Sequence, residues 1–263
     1  MIGFREPSGI FEEGHGQMKD TGLVRQLGES GYCILPSVFD AAAVAVEREA
    51  CLNARPLMGQ TRNVDHAYHL AGFHRFQSLM GLHTTVATHE RVQDFLAAYY
   101  GPEKFYAIGL SDITINRSQQ WHTDLLRGKF SSFLPEGVAW NRAGASCIKV
   151  LVYLQPGKSL RIVPGSHLGP TPLDDAELEK HPSLQNQKQM ELNVGDVVMM
   201  DIRALHRGST DEEMKSPELA KNPKVLVSTV FGAIKSEFAQ AMQLGNAHRM
   251  MGWDAKFLSA DSI

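Results

Sequence analysis

The apolar and polar positions in the first hundred residues predict helices. The segment Glu90–Tyr100 places its apolar residues three and four positions apart, and Gly101 suits the C-terminal cap. Asp40 is expected to cap a helix over Ala41–Leu52, because its side chain can accept a hydrogen bond from the first turn. A further helix is predicted over Met18–Glu29, followed by the short strand "GYCILP".

After Tyr106 the pattern changes to short runs rich in β-branched residues, separated by turn residues such as "PGK" and "NVGD". Only Asp174–Lys180 looks helical among them. A helical front followed by many short strands predicts a mainly β fold, either a barrel or a double-sheet jelly roll, with a helical buttress. Without a recognisable linker, we expect one domain over residues 1–263, helical at about 18–100 and with its β core at about 105–235.

Two stretches lack a clear period and are predicted to cover the mouth of the fold. The first is the irregular region Ala54–Thr85, whose most histidine-rich part is Arg62–His83, and the second is Arg127–Ala145. These stretches supply the candidate substrate residues. His66, His69 and Arg75 could hold a polar or anionic small molecule. Phe133 and Trp140, with Phe130 beside them, could form an apolar wall. Solvated lid residues are the alternative interpretation for each polar member.

Composition narrows the class of protein. A net charge of −3 gives no electrostatic reason to expect a nucleic-acid partner. No apolar run approaches the length of about 18–20 residues that crosses a bilayer, so no membrane partner is expected. The N-terminus lacks the basic start and apolar core of a secretory signal. The three cysteines are widely spaced without a CxxC pattern, which favours reduced thiols in a cytoplasmic protein.

One short stretch, "QQWHTDLL", holds a candidate metal site. If it forms a strand, His122 and Asp124 point the same way, because side chains alternate between the two faces. A third ligand is available in His206, at the end of the apolar strand in "GDVVMMDIRALH". Two histidines and one carboxylate form a facial triad that leaves metal positions open, which suits non-haem Fe(II) better than a closed zinc site.

Five segments in order resemble the phytanoyl-CoA dioxygenase family of Fe(II)- and 2-oxoglutarate-dependent oxygenases. They are "LGESGYCILPSVFD", "QQWHTD", "LRIVPGSH", "VGDVVMMDIRALHRGS" and "KVLVSTVFG", and together they span roughly Leu27 to Gly232. The resemblance implies a double-stranded β-helix (jelly-roll, cupin-like) core, with His122, Asp124 and His206 as iron ligands. It also implies 2-oxoglutarate as cosubstrate and O₂ as oxidant.

The chain departs from this family at the residue that holds the distal carboxylate of 2-oxoglutarate. The family places an arginine at the start of the closing strand, where this chain has Lys224. A lysine offers a point charge in place of a planar fork. Ser228 is a candidate second donor on the same strand face, and Asn116 and Gln119 are candidate contacts from the segment before the HxD motif. Three arginines could replace Lys224 in this role: Arg161, Arg203 and Arg207.

The resemblance implies an enzyme that oxidises, in the first instance hydroxylates, an unactivated C–H bond of a small organic molecule and releases succinate and CO₂. The presence of Asp124 argues against halogenation, because related halogenases lack this carboxylate. The substrate stays open between an amino acid, a natural-product scaffold and an acyl thioester, as do desaturation, cyclisation and epimerisation. Two alternatives are a non-catalytic jelly-roll binding protein and a cupin-type metalloenzyme that needs no 2-oxoglutarate. The sequence gives no oligomeric state.

Overall fold

A computed structural model describes residues 20–60, 66–141 and 145–257 of the chain. Parts of three stretches discussed above lie outside the described residues: the N-terminus with Met18, the start of the first predicted lid at residues 62–65, and residues 142–144 of the second. None of the described helices has the length and apolar character needed to cross a lipid bilayer.

The strands form two sheets, and every paired neighbour within them is antiparallel. The larger sheet has the order β1-β8-β5-β10-β4-β3-β2, and the smaller has the order β7-β6-β9. The described strands are β1 Tyr32–Leu35, β2 Gly59–Gln60, β3 Tyr68–Ala71, β4 Phe105–Ile115, β5 Ile148–Tyr153, β6 Arg161–Ile162, β7 Lys188–Gln189, β8 Val197–Asp201, β9 His206–Arg207 and β10 Val225–Ala233. The expected jelly-roll core with helical elements is confirmed. The single-domain interpretation stays a prediction.

The central strand β5 is buried along its whole length because both of its faces are covered. Val150 and Val152 point into the cluster beneath the helices, whereas Leu151 and Tyr153 point into the cluster shared with the small sheet. A strand buried on both faces appears in sequence as a continuous apolar run, as "VLVY" does. This arrangement places one face of the large sheet toward the interior of the jelly roll, where the candidate site lies.

Helices cover the other face of the large sheet. The described helices are α1 Thr21–Ser30, α2 Ala41–Asn53, α3 Met80–Ala87, α4 Glu90–Tyr100, α5 Glu136–Ala139, α6 Asp175–Leu178, α7 Asp211–Met214, α8 Glu218–Lys221 and α9 Glu237–Phe257. The predicted helices in the N-terminal part are confirmed within a few residues. Asp40 caps α2 as expected, because its Oδ1 accepts a hydrogen bond of 2.8 Å from the backbone N–H of Ala43.

The stretch Ala54–Thr85 differs from its prediction as an irregular lid. It contains β3, which pairs with β4 at an edge region of the large sheet, and it ends in α3. His69 lies on β3 and is only 3% exposed, so this part of the stretch belongs to the core. The elements are two to eight residues long, too short to show a period in sequence.

The longest helix, α9, was not predicted, although its sequence carries the usual signals. Ser236 caps it, since its Oγ accepts a hydrogen bond of 3.2 Å from the N–H of Ala239. Gly245 is needed where α9 crosses the segment after the HxD motif: a Cβ there would lie 2.2 Å from Leu126 Cδ1. The glycine therefore lets α9 approach closely, and α9 contributes Arg249 to the wall of the cavity beside the candidate site.

Candidate metal centre and its cavity

Backbone hydrogen bonds bring the two histidines of the candidate triad together. His122 and His206 pair in an antiparallel bridge, and each backbone N–H donates to the other's carbonyl oxygen at 2.9 Å. The N–H of Asp124 donates to the carbonyl of Ile202 at 2.8 Å. The HxD segment is thus an irregular stretch docked against β9 and the β8–β9 connection, and it brings His122 and Asp124 together without forming a regular strand.

The imidazole rings of the pair are oriented by their own segments. His122 Nδ1 lies 2.6 Å from the carbonyl oxygen of Gln120, and His206 Nδ1 lies 2.9 Å from that of Ala204. A carbonyl can only accept, so both Nδ1 atoms carry the proton and both Nε2 atoms present a lone pair. This use of the second ring nitrogen is typical of histidines that ligate metals.

The two Nε2 atoms face the same carboxylate. His122 Nε2 lies 3.6 Å from Asp124 Oδ1, and His206 Nε2 lies 3.6 Å from Asp124 Oδ2. The three side chains offer ligand atoms that all lie within 4.8 Å of one another. Metal–ligand bonds of about 2.0–2.2 Å place neighbouring ligand atoms roughly 3 Å apart, so a small inward movement satisfies a divalent ion. The donor set fits a facial-triad metal.

Burial sets the protonation states that a metal requires. Burial, together with the neighbouring His122, lowers the pKa of His206 to about 3; burial also lowers the pKa of His122. For Asp124, burial raises the pKa, but the Lys149 ammonium and the two histidines outweigh it and hold that pKa well below its usual range. Neutral imidazoles and an ionised carboxylate are the ligand forms of these groups.

Lys149 is a part of this centre that sequence reasoning missed. Its ammonium donates a hydrogen bond of 2.9 Å to Asp124 Oδ2, and the residue is only 8% exposed. Removing one partner of such a buried ion pair strongly destabilises a protein, because the other partner is left as an uncompensated buried charge. The signal was present in sequence, since Lys149 is the single charged residue inside the apolar run "CIKVLVYL".

A cavity of about 350 Å³ opens beside the triad, within the usual size range for small-molecule sites. Gln119 and Ser228, which are candidate contacts of 2-oxoglutarate from the sequence, both line this cavity. The Gln119 amide nitrogen lies 3.3 Å from His122 Nε2 and donates to it, since that nitrogen carries no proton. A metal bound by His122 would displace this hydrogen bond.

Lys224 lies immediately before the closing strand β10 and does not itself line the cavity, whereas Leu226, two residues further on, does. Its ammonium donates to Ser159 Oγ at 2.5 Å and to Ser209 Oγ at 2.8 Å. Ser159 in turn bonds the hydroxyl of Tyr153, which lines the cavity. Burial lowers the pKa of Lys224 to about 8. We call the lysine, the two serines and the tyrosine the inner end; Tyr153 lines the cavity wall, and the other three lie behind it.

Asn116 supports Lys224 from behind and is absent from the cavity wall. Its Oδ1 accepts from the backbone N–H of Lys224 at 2.7 Å, its own N–H donates to the Lys224 carbonyl at 2.8 Å, and its Nδ2 donates to the Leu219 carbonyl. Its Oδ1 and its backbone N–H hold the start of β10, and its Nδ2 ties the same loop to α8. The structure therefore gives Asn116 a positioning contact with Lys224, and its direct contact with the cosubstrate stays a prediction.

The three arginines considered as replacements for Lys224 do not line the cavity. Arg203 forms an ion pair with Asp201 at 2.8 Å. Arg161 lies 3.8 Å from a carboxylate oxygen of Glu213, and the guanidinium of Arg207 lies over the ring of Trp121.

The predicted substrate residues lie outside the cavity wall as well. His69 faces Asp112 at 3.5 Å, and Arg75 pairs with Asp254 at 2.6 Å, which ties its turn to α9. Phe133 stacks on His248 of α9. Phe133 and Trp140 both pack against the apolar cluster that contains Leu126. His66 is exposed at a turn with a positive φ of 69°. Of the described residues in the two predicted lids, Arg127 and Phe130 line the cavity.

A group of charged residues at the more exposed end of the cavity was also missed. It consists of Arg117, Arg127 and Arg249, with Asp112 on β4 among them. Arg249 comes from α9, so three separate segments supply the arginines. We call this group the outer end. No local sequence pattern joins such residues, and only the packing of α9 could have indicated the group.

Comparison of the sequence with protein-family models and with curated proteins gives no match. Comparison with solved structures gives many. The non-haem alpha-ketoglutarate-dependent carbocyclase SnoK from nogalamycin biosynthesis shares 18% identity, with a TM-score of 0.59 over 83% of this chain and 85% of that one. The epimerase SnoN, solved with Fe³⁺, alpha-ketoglutarate and nogalamycin RO, shares 18% identity, with a TM-score of 0.58 over 81% of this chain and 82% of that one. HygX from Streptomyces hygroscopicus, solved with nickel, 2-oxoglutarate and hygromycin B, shares 13% identity, with a TM-score of 0.59 over 81% and 86%. At these identities, the likeness establishes that the chain has the fold of these enzymes.

Proposed function

We propose that the chain is an Fe(II)- and 2-oxoglutarate-dependent oxygenase that hydroxylates a C–H bond of a small organic molecule. The observation that carries the proposal is the triad of His122, Asp124 and His206, with both Nδ1 atoms tied to carbonyls and both Nε2 atoms facing one carboxylate. Structural neighbours described as 2-oxoglutarate-dependent support it, as do the motifs that resemble the phytanoyl-CoA dioxygenase family.

The chain's own residues would divide the work as follows. His122, Asp124 and His206 would hold the metal at three positions on one side. Lys149 orients the Asp124 carboxylate and balances its charge before the metal arrives. Bound Fe(II), 2-oxoglutarate and O₂ together supply an oxidant for C–H bonds, with succinate and CO₂ as coproducts. The protein contributes position, orientation and exclusion of water.

The inner end would hold the distal carboxylate of 2-oxoglutarate. Lys224 supplies the positive charge, while Ser159 and Ser209 fix the direction of its ammonium. Ser228 and Tyr153 line the cavity and offer hydroxyl donors. A lysine held by two serines recovers part of the geometric definition that an arginine fork has by itself. Asn116 would act by fixing the backbone of Lys224.

The substrate class and location form the finer part of the proposal. Neighbours solved with nogalamycin RO and hygromycin B are the reason to propose a small-molecule substrate and a tailoring reaction on a natural product. SnoK and SnoN are described as a carbocyclase and an epimerase, which are different outcomes on the same fold. For this centre we propose hydroxylation as the basic outcome. Three buried cysteines that are free thiols suit a reducing compartment, and we propose the cytoplasm.

The test is anaerobic addition of Fe(II) and then 2-oxoglutarate to the metal-free protein. We expect a weak visible charge-transfer band that requires both additions, and succinate release when O₂ is admitted. A protein that retains no metal and shows no band would be a jelly-roll binding protein. Metal retention without a 2-oxoglutarate-dependent band or succinate would identify a metalloenzyme of cupin type.

A further inference from the structure

We propose that the outer face of the small sheet binds a small inorganic oxyanion, of the phosphate or sulfate class, between Trp121, Arg161 and Arg207. The three side chains lie outside the wall of the cavity beside the triad, so the site goes beyond the proposed function. The proposal is carried by three buried N–H donors that lack an acceptor and by the placement of their residues on neighbouring segments.

The three residues lie side by side on one face of the small sheet. Arg161 on β6 and Arg207 on β9 are directly opposite each other in an antiparallel pair, so their side chains leave the same face. Arg207 follows His206, which lines the cavity, and the alternation of side chains directs Arg207 the other way. Trp121 precedes His122, which pairs with β9, and Arg207 Cζ lies 5.8 Å from the centre of the Trp121 ring.

Each of these side chains buries an N–H donor that has no hydrogen-bond acceptor among the described residues: Trp121 Nε1, Arg161 Nη1 and Arg207 Nε. Trp121 is 1% exposed and Arg207 is 5% exposed, so bulk water does not serve them. Buried side-chain donors in folded proteins are nearly always hydrogen-bonded. Three unfilled donors on adjacent side chains call for an acceptor with several oxygen atoms, and the two guanidinium groups favour one with negative charge.

One carboxylate, that of Glu213 on α7, lies beside the arginine pair without filling the site. Its Oε1 is 3.8 Å from Arg161 Nη1, which is longer than a hydrogen bond. Its Oε2 accepts the backbone N–H of Thr210 at 2.8 Å in the capping box of α7, and this contact holds the side chain in place. Glu213 therefore leaves the three N–H donors without an acceptor.

The enclosure of the site suits a small free ion better than the phosphate group of a larger molecule. Leu178 and Leu205 pack with Trp121 in one buried apolar cluster, and the site opens to solvent at Arg161, whose side chain is 18% exposed. A bound ion would link Trp121 to Arg207, the neighbours in sequence of the two candidate histidine ligands. It would thereby fix the HxD segment on β9 from the side opposite the metal.

The test follows the indole N–H signals of the full chain by NMR, with ¹⁵N-labelled tryptophan. The chain has three tryptophans, and W121F assigns the Trp121 signal by its loss. Phosphate and sulfate are titrated against chloride at constant ionic strength, without added metal, so that neither oxyanion can bind a metal. Calorimetry of the same titrations gives the affinity without depending on W121F.

We expect the Trp121 signal to shift and saturate with phosphate and sulfate but not with chloride, while the other two indole signals stay in place. R207M and R161M should each weaken the binding by at least about tenfold, because hydrogen bonds between charged groups are the strong ones. The exposed control R25Q should leave it unchanged. R127Q should also leave it unchanged, although Arg127 shares a small separate cavity with Trp121 and Glu179.

The two unshifted indole signals show that each arginine variant is folded. The absence of a saturable shift and of calorimetric binding would overturn the proposal, because water would then serve the three donors. An equal response to chloride, or a response that survives in both R207M and R161M, would overturn it as well. A response lost in R127Q but kept in R207M would place the anion in the small cavity and also contradict the proposal.

Discussion

The metal end and the outer end of the cavity are built in different ways. At the metal end, backbone hydrogen bonds between the HxD segment and the start of β9 at His206 set the positions of the candidate ligands. At the outer end, long side chains from the segment around the HxD motif and from α9 converge. The candidate metal centre is thus fixed by main-chain geometry, whereas the outer end depends on side chains that can change independently of one another.

The largest effect should follow from removing one ligand at the metal end. In H206A, we expect Fe(II) or Ni(II) to bind at least about a hundredfold more weakly. Loss of a residue that only hydrogen-bonds a metal ligand already lowers metal affinity by about 10–100-fold, and loss of the ligand itself should lower it more. Metal affinity is measured by equilibrium competition with a chelator. H181A, at an exposed histidine, is the control. Unchanged affinity in H206A would remove this histidine from the centre.

The next effect concerns the pair between Lys149 and Asp124. K149M should lower the free energy of unfolding of the metal-free protein by about 3 kcal/mol, because Asp124 then keeps a buried and uncompensated charge. Added Ni(II) should stabilise K149M more than the parent protein, since the metal replaces the missing positive charge.

Denaturant unfolding without Ni(II) measures the loss of stability in K149M, and unfolding with Ni(II) measures how much the metal restores. K158M is the matched control, because Lys158 forms a pair of similar length, 2.8 Å, with Glu191 on the exposed surface. We expect little change there. An equal gain from Ni(II) in K149M and in the parent protein would show that Lys149 and the metal act independently.

At the inner end, K224M should raise the dissociation constant of 2-oxoglutarate by about a hundredfold while Fe(II) binding stays unchanged. The visible band of the anaerobic complex reports 2-oxoglutarate binding, and metal analysis reports iron. K188M, on the exposed strand β7, is the control. A normal 2-oxoglutarate requirement in K224M would place the distal carboxylate elsewhere, with the outer-end arginines as the next candidates.

The smallest expected effect is a pH dependence of the same contact. Burial lowers the pKa of Lys224 to about 8, so the ammonium is charged below that pH and loses its proton above it. Affinity for 2-oxoglutarate should therefore fall by about tenfold between pH 7 and pH 9. K224R should remove this dependence, because an arginine stays protonated. Flat binding over this range in the parent protein would contradict the contact.

The parts of the molecule that were predictable are those in which neighbours in sequence decide the structure. The helix over Glu90–Tyr100 and the cap at Asp40 follow from local spacing and local hydrogen bonds. The helix α9 was equally predictable from its cap at Ser236 and was overlooked. The strand β3 could not be predicted in this way. Its four residues are too few to show an alternation of apolar and polar positions, and its pairing with β4 is a long-range contact.

The sequence by itself determined the candidate ligand set, because "HTD" and the distal His206 are residue types that can be recognised in order along the chain. Tertiary structure decided that Lys149 meets Asp124, that Asn116 supports Lys224, and that Arg249 joins Arg117 at one end of a cavity. The physical reason is that motifs record backbone turns and strand ends, whereas the charge of a cavity is set by side chains far apart in sequence that only the packing of helix and sheet brings together.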